Sequence, residues 1–74
     1  MHWKPEPANS TAAQTTFARL QARRVLSWSY AARVFALDGR VLAEKDDFPT
    51  LETAQAWAES EYARLLRDEL AALD

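Results

Sequence analysis

The stretch Trp28-Ser29-Tyr30-Ala31-Ala32-Arg33-Val34-Phe35-Ala36-Leu37-Asp38-Gly39-Arg40-Val41-Leu42-Ala43-Glu44-Lys45 decides the fold. Its first ten residues are dense in Trp, Tyr, Val and Phe, side chains that suit a pleated, half-buried surface. Asp38-Gly39 is a strong short hairpin signal and contains the only glycine of the chain. Read as a two-residue type I′ turn, it sets Leu37 opposite Arg40, Ala36 opposite Val41, Phe35 opposite Leu42, Val34 opposite Ala43 and Arg33 opposite Glu44. Side chains alternate across a sheet. One face then carries Trp28, Tyr30, Ala32, Val34, Ala36, Val41 and Ala43, and its small residues admit a helix. The other carries Ser29, Ala31, Arg33, Phe35 and Leu37 with Leu42 and Glu44. On that face Phe35, Leu37 and Leu42 form an apolar cluster, flanked by an Arg33–Glu44 cross-strand pair.

Downstream, Asp46-Asp47 reads as a loop and Phe48-Pro49-Thr50 opens a helix, with Thr50 as N-cap and Glu52 suited to the N-terminal dipole. Leu51, Ala54, Ala58, Tyr62 and Leu65 share one helical stripe, with Leu66 and Leu73 at its margin. Trp57 lies roughly 120° from the stripe centre at 100° per residue. A helix from Thr50 to Leu73 is about 35 Å long, against about 20 Å for a six-residue strand. Its last turns, with Leu66, Leu70 and Leu73, are expected to overhang the sheet.

Upstream, residues 15–25 admit two readings. Thr11 and Gln14 fit a capping box, and Ala13, Phe17, Leu20 and Arg24 share a helix face. As a strand, Ala18, Leu20, Ala22 and Leu26 alternate with Phe17, Arg19, Gln21 and Arg23, and Thr15-Thr16-Phe17 and Val25 favour strand by propensity. The strand reading, over roughly 16–24, is preferred. No Gly, Pro or Asn marks a turn before Trp28, which argues against a tight hairpin there. Residues 1–14 read as an irregular arm, because Pro5 and Pro7 disfavour regular structure and Asn9-Ser10-Thr11 is turn-like. Trp3 is expected to dock nonetheless. The expectation is an irregular arm (1–14) followed by one α+β domain (15–74): an antiparallel hairpin or three-stranded sheet on one long C-terminal helix, ordered βββα, with αββα as the alternative.

Seventy-four residues make one small domain that buries only roughly 60% of its unfolded surface, so close packing or self-association must support it. There is no cysteine, and the single histidine, His2, sits in the terminal arm. Disulfides, thiolate metal sites and thiol nucleophiles are thereby removed. No apolar run is long enough for a membrane span, and the N-terminus has no apolar signal core. The sequence therefore reads as cytoplasmic. Residues 1–40 carry a net charge of +4 and residues 41–74 a net of −6. Basic strands and an acidic helix account for this.

No Cys–His or Ser–His pair, metal-ligand spacing or glycine-rich phosphate loop is present. Asp46 and Asp47 read as solvated turn residues. No catalysis, cofactor or metal is expected. A protein-interaction module is the leading expectation, because Phe35, Leu37, Leu42 and Trp57 are not absorbed by the core. Exposed apolar clusters and tryptophan mark protein contacts, and Arg33 and Arg40 would orient a partner at the rim. That partner is another protein or a second copy of the chain, as a homodimer. In size and type the chain resembles phage-encoded inhibitors, including anti-CRISPR proteins, which implies occlusion of a larger host protein. The alternative is a nucleic-acid-binding domain. Arg19 and Arg23 share a face in the strand reading, Arg33 joins them near Phe35, and Arg24 adjoins them in sequence. The order of elements over roughly 16–66, with Asp38-Gly39-Arg40 and then Phe48 before an Ala-rich helix, resembles the arm-type DNA-binding domains of tyrosine integrases. The acidic C-terminal half weighs against that alternative.

Overall fold

The computed structural model describes residues 1–7 and 9–72, with side chains described through Asp68. Five antiparallel strands, β1 (Lys4–Glu6), β2 (Ser10–Gln14), β3 (Ala18–Leu26), β4 (Ser29–Ala36) and β5 (Val41–Phe48), form a sheet in chain order, followed by helix α1 (Leu51–Ala72). The α+β class and the βββα order over the C-terminal part hold, and the helical alternative for residues 15–25 does not. The sheet is two strands wider than the sequence reading. Residues 1–14, expected to be irregular, supply the additional strands.

The missed strands have a physical explanation. β1 is an edge strand, where Pro5 faces Thr11 and its missing N–H costs little. β2 is built from Ser10, Thr11, Ala12, Ala13 and Gln14, too small and polar to show an apolar alternation. Its stability comes from its neighbours. Ala13 is buried against the core, Thr11 Oγ1 donates to the Ala22 carbonyl, and Gln55 Nε2 of α1 donates to Thr11 Oγ1. Trp3 docks as expected. It packs against the core while its Nε1 donates to Glu59 Oε1 at 3.1 Å.

Local signals set the turns. Between β1 and β2, Asn9 takes a left-handed φ of 56°, a conformation asparagine tolerates better than most residues. Between β2 and β3, the Thr15 hydroxyl accepts from the amides of Phe17 and Ala18. β3 and β4 are joined tightly after all. Leu26 pairs with Ser29 across Ser27-Trp28, and the register shift between Arg24 and Leu26 lets a turn without Gly, Pro or Asn close. Trp28 is thereby a turn residue, 73% exposed, and not part of the helix-facing surface.

The β4–β5 turn also differs from the expected one. Gly39 has a φ of 94°, but Asp38 is not in the positive-φ region. The Gly39 amide donates to the Ala36 carbonyl and the Ala36 amide donates to the Arg40 carbonyl. This is the three-residue loop Leu37-Asp38-Gly39, with the left-handed residue last, and not a type I′ turn. The extra residue is absorbed by a register shift. Arg33 faces Glu44 and Val34 faces Ala43 as expected, but Phe35 faces Val41, leaving Leu42 as the unpaired residue. Val41 is therefore displaced from the helix side to the open side, and Leu42 from the open side to the helix side.

One sheet face is covered by α1. Ala13, Ala18, Leu20, Ala22, Ala32, Val34 and Phe48 form the core with Ala54 and Ala58, and Leu51, Tyr62 and Leu65 pack around it. The helical stripe read from the sequence is the stripe observed. Of its margin, Leu66 is half-buried, whereas the side chains of Leu70 and Leu73 lie outside the described residues. Helix entry is closed by a reciprocal cap. The Thr53 amide donates to Thr50 Oγ1 at 3.1 Å and the Thr50 amide to Thr53 Oγ1 at 3.3 Å. Both sheet edges are blunted. β1 carries Pro5, and β5 is interrupted by register shifts and lined with Glu44, Lys45, Asp46 and Asp47. Such edges disfavour strand addition.

Two substitutions test this packing. Leu20→Ala removes one of the two largest fully buried side chains and is expected to cost about 2–5 kcal/mol in urea unfolding. Gly39→Ala meets no atom within 4 Å, so its cost of about 1–2 kcal/mol is conformational. Gly39→Asn is expected to recover much of that loss in the same assay. Equal losses for the two would show that the left-handed backbone is not the cause.

Candidate functional site

The meander ends on two apolar tips and leaves one sheet face uncovered. At the end formed by the β2–β3 and β4–β5 turns, Phe17 is 63% exposed, Leu37 60%, Val41 46% and Leu42 38%. These residues meet because Ala18 pairs with Ala36, which brings Phe17 and Leu37 to adjacent strand ends. A groove of about 220 Å³ opens there on the helix side, lined chiefly by Phe17, Leu42, Tyr62, Leu65 and Leu66 with Arg40. A second hollow on the open side, of about 280 Å³, includes Phe35, Leu37 and Arg19 and shares Ala36 with the first. The opposite end carries Val25, Leu26 and Trp28, all exposed.

The open face is polar. Register places Arg19 beside Phe35, Gln21 beside Arg33 and Arg23 beside Ala31, with Gln14 facing Arg19 and Lys4 facing Ala12. Arg19 Nη2 contacts Glu6 Oε1 at 2.7 Å, and Arg33 Nε contacts Glu44 Oε2 at 3.3 Å. Both pairs are partly exposed, so each contributes at most about 1 kcal/mol. On α1, Arg64 hydrogen-bonds Glu61 and reaches Asp68; the hydrogen bond to Glu61 holds the Arg64 guanidinium above its ordinary pKa. Asp47 sits in the left-handed region, with the Ser29 hydroxyl at 3.5 Å from its carboxylate. Among the described residues, no group of three His, Cys, Asp or Glu side chains is placed to hold a metal ion, and no helix is long and apolar enough to cross a membrane.

The expected contact residues separate into three places. Leu37, Leu42 and Arg40 gather at the apolar end, joined by Phe17 and Val41, which the sequence reading did not single out. Phe35 and Arg33 lie on the open face, so Phe35, Leu37 and Leu42 do not form one cluster there; the unpaired Leu42 breaks it. Trp57 is half-buried and packs against the core, its ring centroid 5.9 Å from that of Phe48 and tilted by 48°. The wheel missed this because Phe48, at the end of edge strand β5, reaches round to the flank of the helix. Of the basic set, Arg19, Arg23 and Arg33 do share a face, whereas Arg24 pairs with Tyr30 and falls on the helix side. The exposure of Phe17 had a legible signal: it sits at a β-turn beside Thr15-Thr16, opposite in phase to buried Ala18 and Leu20.

The sequence matches no protein-family model, and neither a curated protein nor a solved structure shows significant similarity to it. What the domain can do must be argued from these surfaces.

Placement of Trp57 changes its expected phenotype. Trp57→Ala should lower stability by about 2 kcal/mol, less than the loss for a fully buried tryptophan, whereas Trp28→Ala should change it by no more than about 0.5 kcal/mol. Thermal or urea unfolding of the two variants makes the comparison, and similar losses would contradict it.

Proposed function

We propose that this domain is a non-catalytic protein-binding module that engages its partner with the apolar end of the sheet. The supporting observation is the gathering of Phe17, Leu37, Val41 and Leu42, all exposed, at one end of the sheet, where Phe17 and Leu42 line a groove floored by α1. A small domain that must stabilise itself with few large buried side chains forgoes burial at these four apolar residues. Contiguous exposed apolar side chains in a folded monomer mark an interaction surface. The groove, at about 220 Å³, is smaller than the roughly 300–1,000 Å³ of small-molecule sites. It suits a bulky apolar side chain projecting from a partner. Arg40 at the rim adds a fixed positive charge that orients an acidic neighbour.

In this reading the domain acts by occupying a surface of a larger protein, as an adaptor or inhibitor does. A second copy of the chain is the other possible occupant. It would meet through side chains at the apolar end, since the sheet edges disfavour strand pairing. Leu42→Asp and Phe17→Asp place a charge in the groove at exposed positions. Each is expected to leave thermal unfolding nearly unchanged and to weaken association at least tenfold, a loss typical of interface anchors. The measurement is capture of partners with wild-type and variant protein side by side, with sedimentation of the isolated protein to score self-association. A partner retained equally by both variants would place the binding surface elsewhere.

A further inference from the structure

We infer that the open face of the sheet is a docking surface for single-stranded nucleic acid, separate from the apolar end. The inference rests on how the fold distributes charge. The open face carries Lys4, Arg19, Arg23 and Arg33 against Glu6, Glu44 and Asp46, a local excess of +1. Across the sheet, Glu52, Glu59, Glu61 and Asp68 of α1 outnumber Arg64 and Arg67. The net charge of −2 therefore does not describe the open face. Acidic groups on the far side of a sheet-plus-helix lie beyond the roughly 8 Å screening length of physiological salt. A strand laid on the arginines meets the local excess.

The arginines have donors to spare. Arg19 uses only Nη2 on Glu6 and Arg33 only Nε on Glu44, whereas a guanidinium has five N–H donors. Among the described residues, no carboxylate lies within ion-pair distance of Arg23. Arg23 and Arg33 border a shallow hollow of about 440 Å³ that also includes Lys45, Glu44 and Asp46. Half-buried Phe35 stands beside Arg19 on the same face and offers a ring on which a base can stack. Gln14 and Gln21 add amide donors and acceptors for base edges. Shape selects the single strand over the duplex. Five strands at about 4.8 Å spacing make a surface roughly 19 Å wide. A duplex major groove of about 12 Å admits a helix or a two-stranded ribbon, not this sheet.

The test is fluorescence anisotropy of the full chain with labelled oligothymidylate of about 15 nucleotides, the same sequence as a duplex, and polyglutamate and heparin as competitors. With about three cations engaged, log affinity should fall against log salt with a slope near −2. Arg23→Ala should flatten that slope by about 0.7. Phe35→Leu, which keeps apolar bulk and removes the ring, should weaken binding at least about fivefold with the slope unchanged. Leu42→Asp, which disables the proposed protein-binding end, should leave oligothymidylate binding as it is. Absence of binding at low salt, equal binding of duplex, or full competition by polyglutamate overturns the inference. So does heparin-like binding indifferent to Phe35→Leu. Each variant is checked by thermal unfolding, and Arg23, being exposed, keeps the test valid if Phe35→Leu is destabilised.

Discussion

The structure depends on the close approach of α1 to the sheet. Among the described residues, six of the nine core residues are alanines, contributed by β2, β3, β4 and α1, and only Leu20 and Val34 are large side chains sealed completely from solvent. Alanine carries no side-chain entropy to lose and lets a helix lie low on the strands, so many small contacts replace a few large ones. The gain per residue is modest, which is why the periphery matters. Trp3, Tyr30, Leu51, Trp57, Tyr62 and Leu65 ring this alanine floor and exclude water from it. Trp3 and Trp57 are part of that ring, and their indole bulk is spent on stability.

That constraint shapes the surface. A core floored by alanine has no depth to absorb every large apolar side chain in a short chain. The surplus is carried to the turns, where Phe17, Leu37, Val41 and Leu42 collect at one end and Val25, Leu26 and Trp28 at the other. One helix covers one face of a five-stranded sheet, so the second face is left mainly to polar side chains, with arginine and lysine together outnumbering the carboxylates. The same economy thus yields two distinct surfaces, one apolar at the end of the sheet and one basic across its back. The blunted edges of β1 and β5 leave these surfaces, not strand addition, as the available routes to association.

The β4–β5 register shift shows how local geometry moves side chains across a sheet. A three-residue loop in place of a two-residue one, compensated by a single unpaired residue at Leu42, exchanges Val41 and Leu42 between faces. The side-chain period of a strand is two, so one inserted residue reverses every assignment beyond it until a second irregularity restores the phase. Arg33 and Glu44, on the side of the shift away from the turn, remain paired as read from the sequence. Phe35 and Leu42, which span it, part company.

The sequence by itself determined the α+β class, the order of β3, β4, β5 and α1, the Thr50 cap and the buried stripe through Ala54 and Ala58. Each of these rests on periodicity or on turn and cap chemistry encoded within a few neighbouring residues. It also determined that Arg19 and Arg23 share a face once residue 18 onward is extended; the β3–β4 register placed Arg33 beside them. Only the tertiary structure decided that residues 4–6 and 10–14 are strands, because Ala12, Ala13 and Thr11 become a strand by pairing with β3 and not by their own propensity. Only it decided the fate of Leu42, since an unpaired residue is a compromise between a turn and a partner strand. It alone decided that Trp57 is half-buried, because the Phe48 ring that covers it comes from the sheet edge and lies off any helical wheel.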